Sequence, residues 1–338
     1  MFVARSIIEN TLVPHTAFRE ASTRLKQCFE YAEGAAEPIC MAVLGESRTG
    51  KSRVLEECYA EHPSRRDADG LTVPILYVKT PSKPTVKGLA ALMLQAIGDP
   101  RWHAGSEIEK TNRLRTLMRN ANTKMVMIDE FQHFYDKASH KVMHHVADWL
   151  KILVDDAKVA LVVAGLPDCR AVLDQNEQLA GRFLAPVTMH RFDWKLEEHR
   201  AEFIGILAAF HEAMSEYFDV PELHAPELAF RFFCGTGGLM GYLTKLLRQA
   251  VWNALDEGRR AVTLEDLARA HQQAVWKRES GGSTMSPFSR DFNTSPTEEL
   301  LAAVMALGTP AIENRGRTSR SRVGFSNKRE TFQQVVAR

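Results

Sequence analysis

The chain has 338 residues, 43 Lys and Arg against 42 Asp and Glu, and a formal net charge of +1, so any basic binding site must be local. No apolar run approaches 18 residues, the N-terminus lacks a signal-peptide layout, and the five cysteines show no CxxC pairing. We therefore expect a cytoplasmic protein without a membrane span, with its cysteines reduced and buried.

Residues 1–37 are predicted to form a helical lead-in, because Phe18, Leu25, Cys28 and Phe29 recur at roughly helical spacing. A buried strand is predicted at 39–44, from its apolar sequence ICMAVL, and a helix begins at Ser52. Between them, GESRTGKS (45–52) has the spacing of a phosphate-binding loop, a glycine and four free positions before Gly-Lys-Ser. We expect ATP to contact this loop, at Gly45, Glu46, Ser47, Arg48, Thr49, Gly50, Lys51 and Ser52.

The elements around this loop explain why it can bind phosphate. A strand, a glycine-containing turn and a helix point backbone N–H groups at an anion lying at the helix N-terminus. Lys51 is predicted to reach the outer phosphates, and the Ser52 hydroxyl to ligate Mg²⁺.

Further apolar strands are predicted at 73–78, 125–128 and 159–164, with a weaker one at 187–190. Helical periodicity fills the intervals at 86–97, 107–121 and 142–154. Fully apolar strands that alternate with helices predict a parallel sheet covered on both sides, so we assign residues 38–192 to an α/β core.

The strand at 125–128 ends in Asp129 and Glu130, 78 and 79 residues after Lys51. A carboxylate at the end of a strand beside the phosphate loop can hold Mg²⁺, partly through water, and we assign this role to Asp129. Glu130 is predicted to polarise a water against the γ-phosphate.

Residues 193–278 are predicted to form an all-α lid, with helices at 196–214, 226–233, 239–257 and 263–276. From 279 the composition becomes that of a flexible linker, followed by a short amphipathic segment at 297–308. The rest of the 279–338 region is arginine-rich and predicted to be disordered. This tail is expected to contact either a protein partner or DNA.

The order of these parts, phosphate loop, Asp-Glu strand, another strand and helical lid, resembles an AAA+ ATPase. Such proteins form rings or helical assemblies and hold ATP between subunits, so an arginine is expected in trans at the γ-phosphate. Arg182, after the fourth core strand and just before the fifth, lies where AAA+ relatives keep this arginine finger. Arg170 is the competing candidate.

More particularly, VLGESRTGKS, MVMIDEFQHF, VVAGLPD, NEQLAGRF and GTGGLMGYLTKLLRQAV resemble the TniB/TnsC family of transposition regulators, over roughly residues 10–275. The resemblance implies an ATP-dependent regulator that oligomerises on target DNA. It also implies two protein partners, a TniQ-type targeting protein and a transposase.

Two positions depart from the AAA+ pattern. Leu166 stands where a polar residue usually senses the γ-phosphate, and Met240 and Gly241 stand where the lid often carries an arginine. Both departures favour slow hydrolysis and a persistent ATP-bound assembly.

In relatives, the segment after the second strand faces DNA. Here that segment, VKTPSKPTVKGL, contains Lys79, Lys83 and Lys87 and no acidic residue. These lysines suit phosphate contacts that are tolerant of sequence and sensitive to salt. Arg101, in the stretch 98–106, belongs to a second candidate DNA-binding edge.

Two alternatives stay open. A helicase loader of the same fold would favour single strands, and the absence of aromatic residues from 79–87 argues against it. A scaffold that binds ATP without hydrolysing it would show no turnover with or without DNA.

Overall fold

A five-stranded, all-parallel sheet forms the centre of the α/β core, as the alternating pattern predicts. Its strands are β1 (Cys40–Gly45), β4 (Ile75–Lys79), β5 (Met125–Asp129), β6 (Ala160–Gly165) and β7 (Val187–Met189), in the spatial order β4-β5-β6-β1-β7. The structure, a computed structural model, describes residues 2–32, 37–68, 70–82, 84–136, 140–275 and 286–308. The register pairs Gly45 with Met189 and Lys79 with Asp129, so the phosphate loop and the Asp-Glu pair lie at the same edge of the sheet.

Helices cover both faces of this sheet. On one face, residues such as Leu44, Ile128 and Val163 share a core with the helices that follow β4, β5 and β6. On the other face, Val43, Met127 and Val162 pack against α3 (Thr16–Tyr31) and α4 (Lys51–Glu61). Each fully buried Val or Leu stabilises the fold by about 1.5–3 kcal/mol. The remaining helices of the core are α5 (Val86–Ala96), α6 (Glu107–Asn120), α7 (His133–Asp136), α8 (His140–Ala157), α9 (Arg170–Leu173) and α10 (Glu177–Ala180).

The short helices α7, α9 and α10 and a hairpin of the core were not predicted. Residues Arg65–Asp67 and Gly70–Thr72 form a two-stranded antiparallel hairpin, β2 and β3, apart from the main sheet. Its strands are three residues long and largely exposed, too short for an alternating apolar pattern to register in the sequence.

Four helices follow β7 and form a second hydrophobic core: α11 (Glu197–Ser215), α12 (Pro226–Thr236), α13 (Met240–Asp256) and α14 (Leu264–Ala274). The predicted start of α14 is correct, because Thr263 and Asp266 form a reciprocal capping box. The turn between α12 and α13 depends on glycine at Gly237 and Gly238, whose φ angles are 64° and 68°.

The N-terminal segment contacts both cores. Besides α3, it forms two short helices, α1 (Phe2–Arg5) and α2 (Ile7–Asn10). Ile7 and Ile8 are buried in the core of the lid helices, and the Trp252 indole donates a hydrogen bond to the Arg5 carbonyl over 3.0 Å. This segment is therefore part of the folded unit rather than a lead-in alone.

Residues 287–292, which the sequence predicts to belong to a flexible linker, pack against α12 and α14. Phe288 is buried between Phe232 and His271, and Arg231 donates hydrogen bonds to the carbonyls of Pro287 and Ser289. A buried aromatic ring and a buried guanidinium anchor a segment whose composition is otherwise typical of a linker.

The predicted amphipathic segment forms α15 (Glu298–Met305), which packs Leu301 and Val304 into the second core. The basic tail that follows lies outside the described residues. All five cysteines are buried and free, as expected. In the part of the chain that the structure describes, no helix is long and apolar enough to cross a membrane.

Candidate nucleotide-binding site

The phosphate loop joins the end of β1 to the start of α4. Its fold depends on glycine at two places. A Cβ at Gly45 would lie 2.0 Å from the Met189 carbonyl oxygen, and Gly50, the N-cap of α4, has a φ of 102°. Because Gly50 has no side chain to cap the helix, the first N–H groups of α4 are available to an anion.

The Lys51 ammonium lies inside this loop. Its Nζ donates hydrogen bonds to the carbonyl oxygens of Gly45, over 2.9 Å, and Glu46, over 2.5 Å. Burial lowers the pKa of Lys51, while the nearby carboxylates of Glu130 and Asp129 act in the opposite direction. The cation is thus held among acceptors that phosphate oxygens can replace.

Asp129 is buried at the end of β5 and meets two hydroxyl groups. The Ser52 hydroxyl donates to Asp129 Oδ2 over 2.7 Å, and the Tyr77 hydroxyl donates to the same oxygen over 3.1 Å. Burial, followed by the charge of Asp129, raises the pKa of Tyr77, so the phenol stays a donor. A hydroxyl and a carboxylate side by side are hard oxygen donors, which fit Mg²⁺.

Glu130 follows directly, with its backbone in the left-handed region at a φ of 55°. Its carboxylate accepts a hydrogen bond from the Gln132 side-chain amide, whose Oε1 in turn accepts from the Leu166 backbone N–H over 3.2 Å. Gly165 permits this arrangement, because a Cβ there would lie 2.7 Å from Gln132 Oε1. Gln132 therefore places a polar group beside Leu166, at the position where the sequence shows no polar sensor.

A cavity of about 240 Å³ brings these parts together. Its lining combines residues of the phosphate loop and the start of α4 with residues that directly follow β5 and β6. The lining includes Ser47, Arg48, Gly50, Lys51, Ser52, Glu130, Gln132 and Leu166. The charged and polar lining of this cavity suits a polyphosphate.

A second cavity of about 250 Å³ shares Gly50 and Arg53 with the first. Its apolar lining comes from three separate parts of the chain, the N-terminal segment, α11 and the start of α13, and includes Leu12, Val13, Phe18, Phe210 and Met240. Adjoining polar and apolar cavities match the two ends of a nucleotide. The sequence does not predict this apolar cavity, because the segments that line it are far apart in the chain.

The other loop residues hold the lid helices and the loop together. Thr49 is buried and donates to the Glu46 carbonyl, and the Arg48 guanidinium lies 4.7 Å from the centre of the Tyr242 ring. The Gly241 N–H donates to the Arg48 carbonyl, and a Cβ at Gly241 would come within 2.9 Å of Arg48 Cβ. The glycine that the sequence shows in place of a lid arginine thus lets α13 approach the phosphate loop.

Arg182 lies away from its own subunit's phosphate loop. Its carbonyl accepts a hydrogen bond from the Cys40 N–H, at the start of β1, whereas the phosphate loop follows the end of that strand. The guanidinium pairs with Asp155 over 2.7 Å and donates to the Gln178 carbonyl, and the side chain is 19% exposed. The competing residue, Arg170, is exposed at the start of α9.

The proposed DNA contacts fall into two groups. Lys79 is exposed at the end of β4 but forms an ion pair with Glu56 over 3.6 Å. Lys83 lies outside the described residues. Lys87 is exposed in the first turn of α5, a helix that Thr85 caps by accepting a hydrogen bond from the Gly88 N–H.

The loop that presents Arg101 is firmly held. Arg113 binds the Asp99 carboxylate over 2.6 Å and donates to the Arg101 carbonyl over 2.9 Å, while Arg101 itself is exposed. Hydrogen bonds from Ser106 lower the pKa of Glu109, and the charges of Arg113 and Lys87 add to this effect. The charge of Lys87 thus acts on Glu109, in the first turn of the helix that follows the loop of Arg101.

Comparisons with known proteins show the family and the fold of the chain. The family model described as the bacterial TniB protein matches residues 4–195, more than half of the chain. No curated protein sequence matches.

Several solved structures are similar in fold. The ORC2 protein of Aeropyrum pernix, in ADPNP–ADP complexes, is 15% identical with a TM-score of 0.59, covering 81% of this chain and 73% of its own. Cdc6p of Pyrobaculum aerophilum is 15% identical with a TM-score of 0.57, covering 80% and 70%. The ORC1 protein of A. pernix in complex with DNA is 15% identical with a TM-score of 0.55, covering 80% and 69%. At these identities the likeness shows the fold alone, and it confirms the fold predicted from the sequence.

Proposed function

The chain belongs to the bacterial TniB family, and from that membership and the geometry of its site we propose that it is an ATP-dependent regulator of DNA transposition. In this proposal it binds and hydrolyses ATP with Mg²⁺, oligomerises on duplex DNA, and links target selection to recruitment of a transposase. The observation that carries the proposal is the hydrogen bond of Ser52 with Asp129, beside Lys51 and Glu130 at one polar cavity.

Each side chain has a separate task in hydrolysis. The Lys51 ammonium exchanges its two loop carbonyls for oxygens of the β- and γ-phosphates. Ser52 and Asp129 would hold Mg²⁺, Asp129 partly through water, and the ion would supply positive charge beside the phosphates. Glu130 accepts a proton from the attacking water, and Gln132 orients the Glu130 carboxylate.

The two ends of the nucleotide occupy different cavities. The triphosphate occupies the polar cavity, where the N-terminal N–H groups of α4 face it. The base occupies the apolar cavity, between Leu12 and Val13 on one side and Met240 on the other. Because α13 forms part of that wall, ATP also joins the lid helices to the α/β core.

Assembly on DNA is the second part of the proposal. Arg182 reaches the γ-phosphate of a neighbouring subunit, which makes the interface depend on ATP. Lys79, Lys83, Lys87 and Arg101 contact DNA phosphates without reading sequence. The structurally similar A. pernix ORC1 protein was solved in complex with DNA, which supports DNA binding by this fold. A TniQ-type targeting protein and a transposase are the protein partners that the family implies.

Electron micrographs of the full chain with ATP, Mg²⁺ and duplex DNA, combined with phosphate-release measurements, test the proposal. We expect ATP-dependent rings or filaments on DNA and a slow turnover that DNA stimulates. The Lys51→Ala variant should give neither. Assembly without any turnover would favour the scaffold that only binds ATP, and a preference for single strands would favour a helicase loader.

A further inference from the structure

Arg191, in the segment after β7, connects two parts of the chain that the sequence gives no reason to join. It is 5% exposed. On one side its guanidinium grips the carboxylate of Glu46 in the phosphate loop, with Nε 3.1 and 2.9 Å from the two oxygens and Nη2 also in contact. On the other side, Nη1 donates to the carbonyls of Met305, over 2.8 Å, and Leu307, over 2.9 Å, at the end of α15.

This arrangement satisfies a buried charge with two different kinds of acceptor. A guanidinium stays protonated at physiological pH, so its burial is costly unless its N–H groups find acceptors. Glu46 supplies the opposite charge, and the last carbonyls of a helix are otherwise unpaired acceptors that favour a cation. If α15 left its place, the Nη1 group would lose both of these carbonyls.

The residues after α15 are also linked to the phosphate loop indirectly, through Tyr242. Gly308 has a φ of 74°, and a Cβ there would lie 2.9 Å from Leu239 and 3.3 Å from the Tyr242 ring. The same Tyr242 ring holds the Arg48 guanidinium of the phosphate loop. Two loop residues, Glu46 and Arg48, are therefore braced by groups that contact the end of α15.

We propose that Arg191 is a positioning residue for the phosphate loop, and that it makes ATP binding depend on the docking of α15. With α15 in place, Arg191 holds Glu46 and keeps the phosphate loop in the conformation that presents Lys51 and the first N–H groups of α4 to the phosphates. When α15 is released, Arg191 loses the carbonyls of Met305 and Leu307, although Nη1 still contacts the Gly237 carbonyl over 3.4 Å, and its hold on Glu46 becomes less fixed. The inference rests on the proposed ATP site.

A double-mutant cycle in the full chain tests this coupling. One arm is Glu46→Gln, which removes the charge but keeps the shape, and the other is Leu301→Ala with Val304→Ala, which loosens α15. Each arm should raise the Kd for a fluorescent ATP analogue with Mg²⁺ about three- to tenfold, since the Glu46 side chain is 44% exposed. Both arms act through Arg191. The Kd of the combined variant should therefore be only slightly above that of whichever single arm binds ATP more weakly.

Matched variants and a second readout separate positioning from a general structural role. Glu299→Ala, on the exposed side of α15, should leave the Kd unchanged. In phosphate release, both arms of the cycle should raise KM and leave kcat at saturating ATP nearly unaltered. By reciprocity, ATP should slow hydrogen exchange at residues 298–308 in the wild type, and less so in Glu46→Gln.

The outcomes are distinct. If the wild type binds no ATP, the proposed function fails. If the wild type binds ATP but the effects of the two arms multiply, the coupling through Arg191 is wrong. If the α15 variant does not fold, the exchange measurement decides, and an unaltered rate at 298–308 on adding ATP overturns the inference.

Discussion

The Ser52 hydroxyl donates a hydrogen bond to Asp129 Oδ2 over 2.7 Å, although β6 lies between the strands that precede these two residues. The bond forms because parallel strands end at a common edge, so the phosphate loop after β1 and the carboxylate at the end of β5 converge. It joins the two halves of a nucleotide site before any nucleotide is bound.

This convergence predicts that Lys51 and Glu130 affect different steps, the first ATP binding and the second hydrolysis. Lys51→Ala should abolish ATP binding, because the outer phosphates lose their cation. Glu130→Gln should retain binding but slow hydrolysis by about 10²- to 10⁴-fold, since an amide cannot accept the proton of the water. Equilibrium binding and phosphate release measure the two effects separately. Lys141→Ala, at an exposed position of α8, is the control. Wild-type turnover by Glu130→Gln would show that another group acts as the base.

Gln132 should matter for turnover and not for binding. In Gln132→Leu the Glu130 carboxylate loses its amide partner and the Leu166 N–H loses its acceptor. We expect hydrolysis to slow about ten- to a hundredfold from misorientation, at unchanged ATP affinity. Gln95→Leu, on the exposed side of α5, is the matched control in single-turnover measurements. Faster turnover would instead mean that Gln132 restrains Glu130.

The proposed DNA-binding lysines predict a change in salt dependence. Replacing Lys83 and Lys87 with alanine should weaken duplex binding about equally across sequences. It should also flatten the salt dependence by roughly one unit of slope for each DNA phosphate that the variant no longer neutralises. Lys79→Ala should have a smaller effect, because Glu56 already neutralises much of that charge. Titrations at several salt concentrations measure both.

Unchanged affinity of the double variant at physiological salt would move the DNA-binding surface elsewhere. Arg101→Ala is then the variant to measure, because the Arg113 hydrogen bonds hold its loop and the change should remove one phosphate-binding group without unfolding it.

The sequence predicts those parts of the site that depend on local pattern. The phosphate loop needs glycines at fixed offsets, and Asp129 and Glu130 stand at the end of a fully apolar strand, so spacing and periodicity suffice. Even the short helix α15 follows from its amphipathic pattern.

What the sequence does not predict depends on packing between distant segments. Arg191 and Glu46 are 145 positions apart, and Arg191 lies 114 positions from Met305. No periodicity relates such positions, so only the folded chain brings them together. The sequence indicates a site role for Gln132 only weakly. It is a polar residue shortly after Glu130, and it follows the buried Phe131. Its role became evident only from the hydrogen bond that it accepts from the Leu166 N–H, 34 positions away.

The proposed arginine finger, Arg182, forms an ion pair within its own chain, and this pair determines how its role must be tested. Within its own subunit the guanidinium pairs with Asp155, so Arg182→Ala removes an internal ion pair as well as any interaction in trans. Asp155→Ala breaks the same pair and leaves the arginine in place, which makes it the matched control. If Arg182 is the arginine finger, Arg182→Ala should bind ATP as an isolated subunit and lose both ATP-dependent oligomers and DNA-stimulated turnover.

Asp155→Ala should keep both activities, because the freed guanidinium can still reach a neighbour's γ-phosphate. Mixing Arg182→Ala with Lys51→Ala should restore part of the turnover, since each variant supplies the half of an interface that the other lacks. Equal losses in Arg182→Ala and Asp155→Ala would show that the ion pair only stabilises the fold. If Arg182→Ala assembles normally on DNA with ATP, the finger is elsewhere. Arg170, exposed at the start of α9, is then the residue whose alanine variant should abolish assembly.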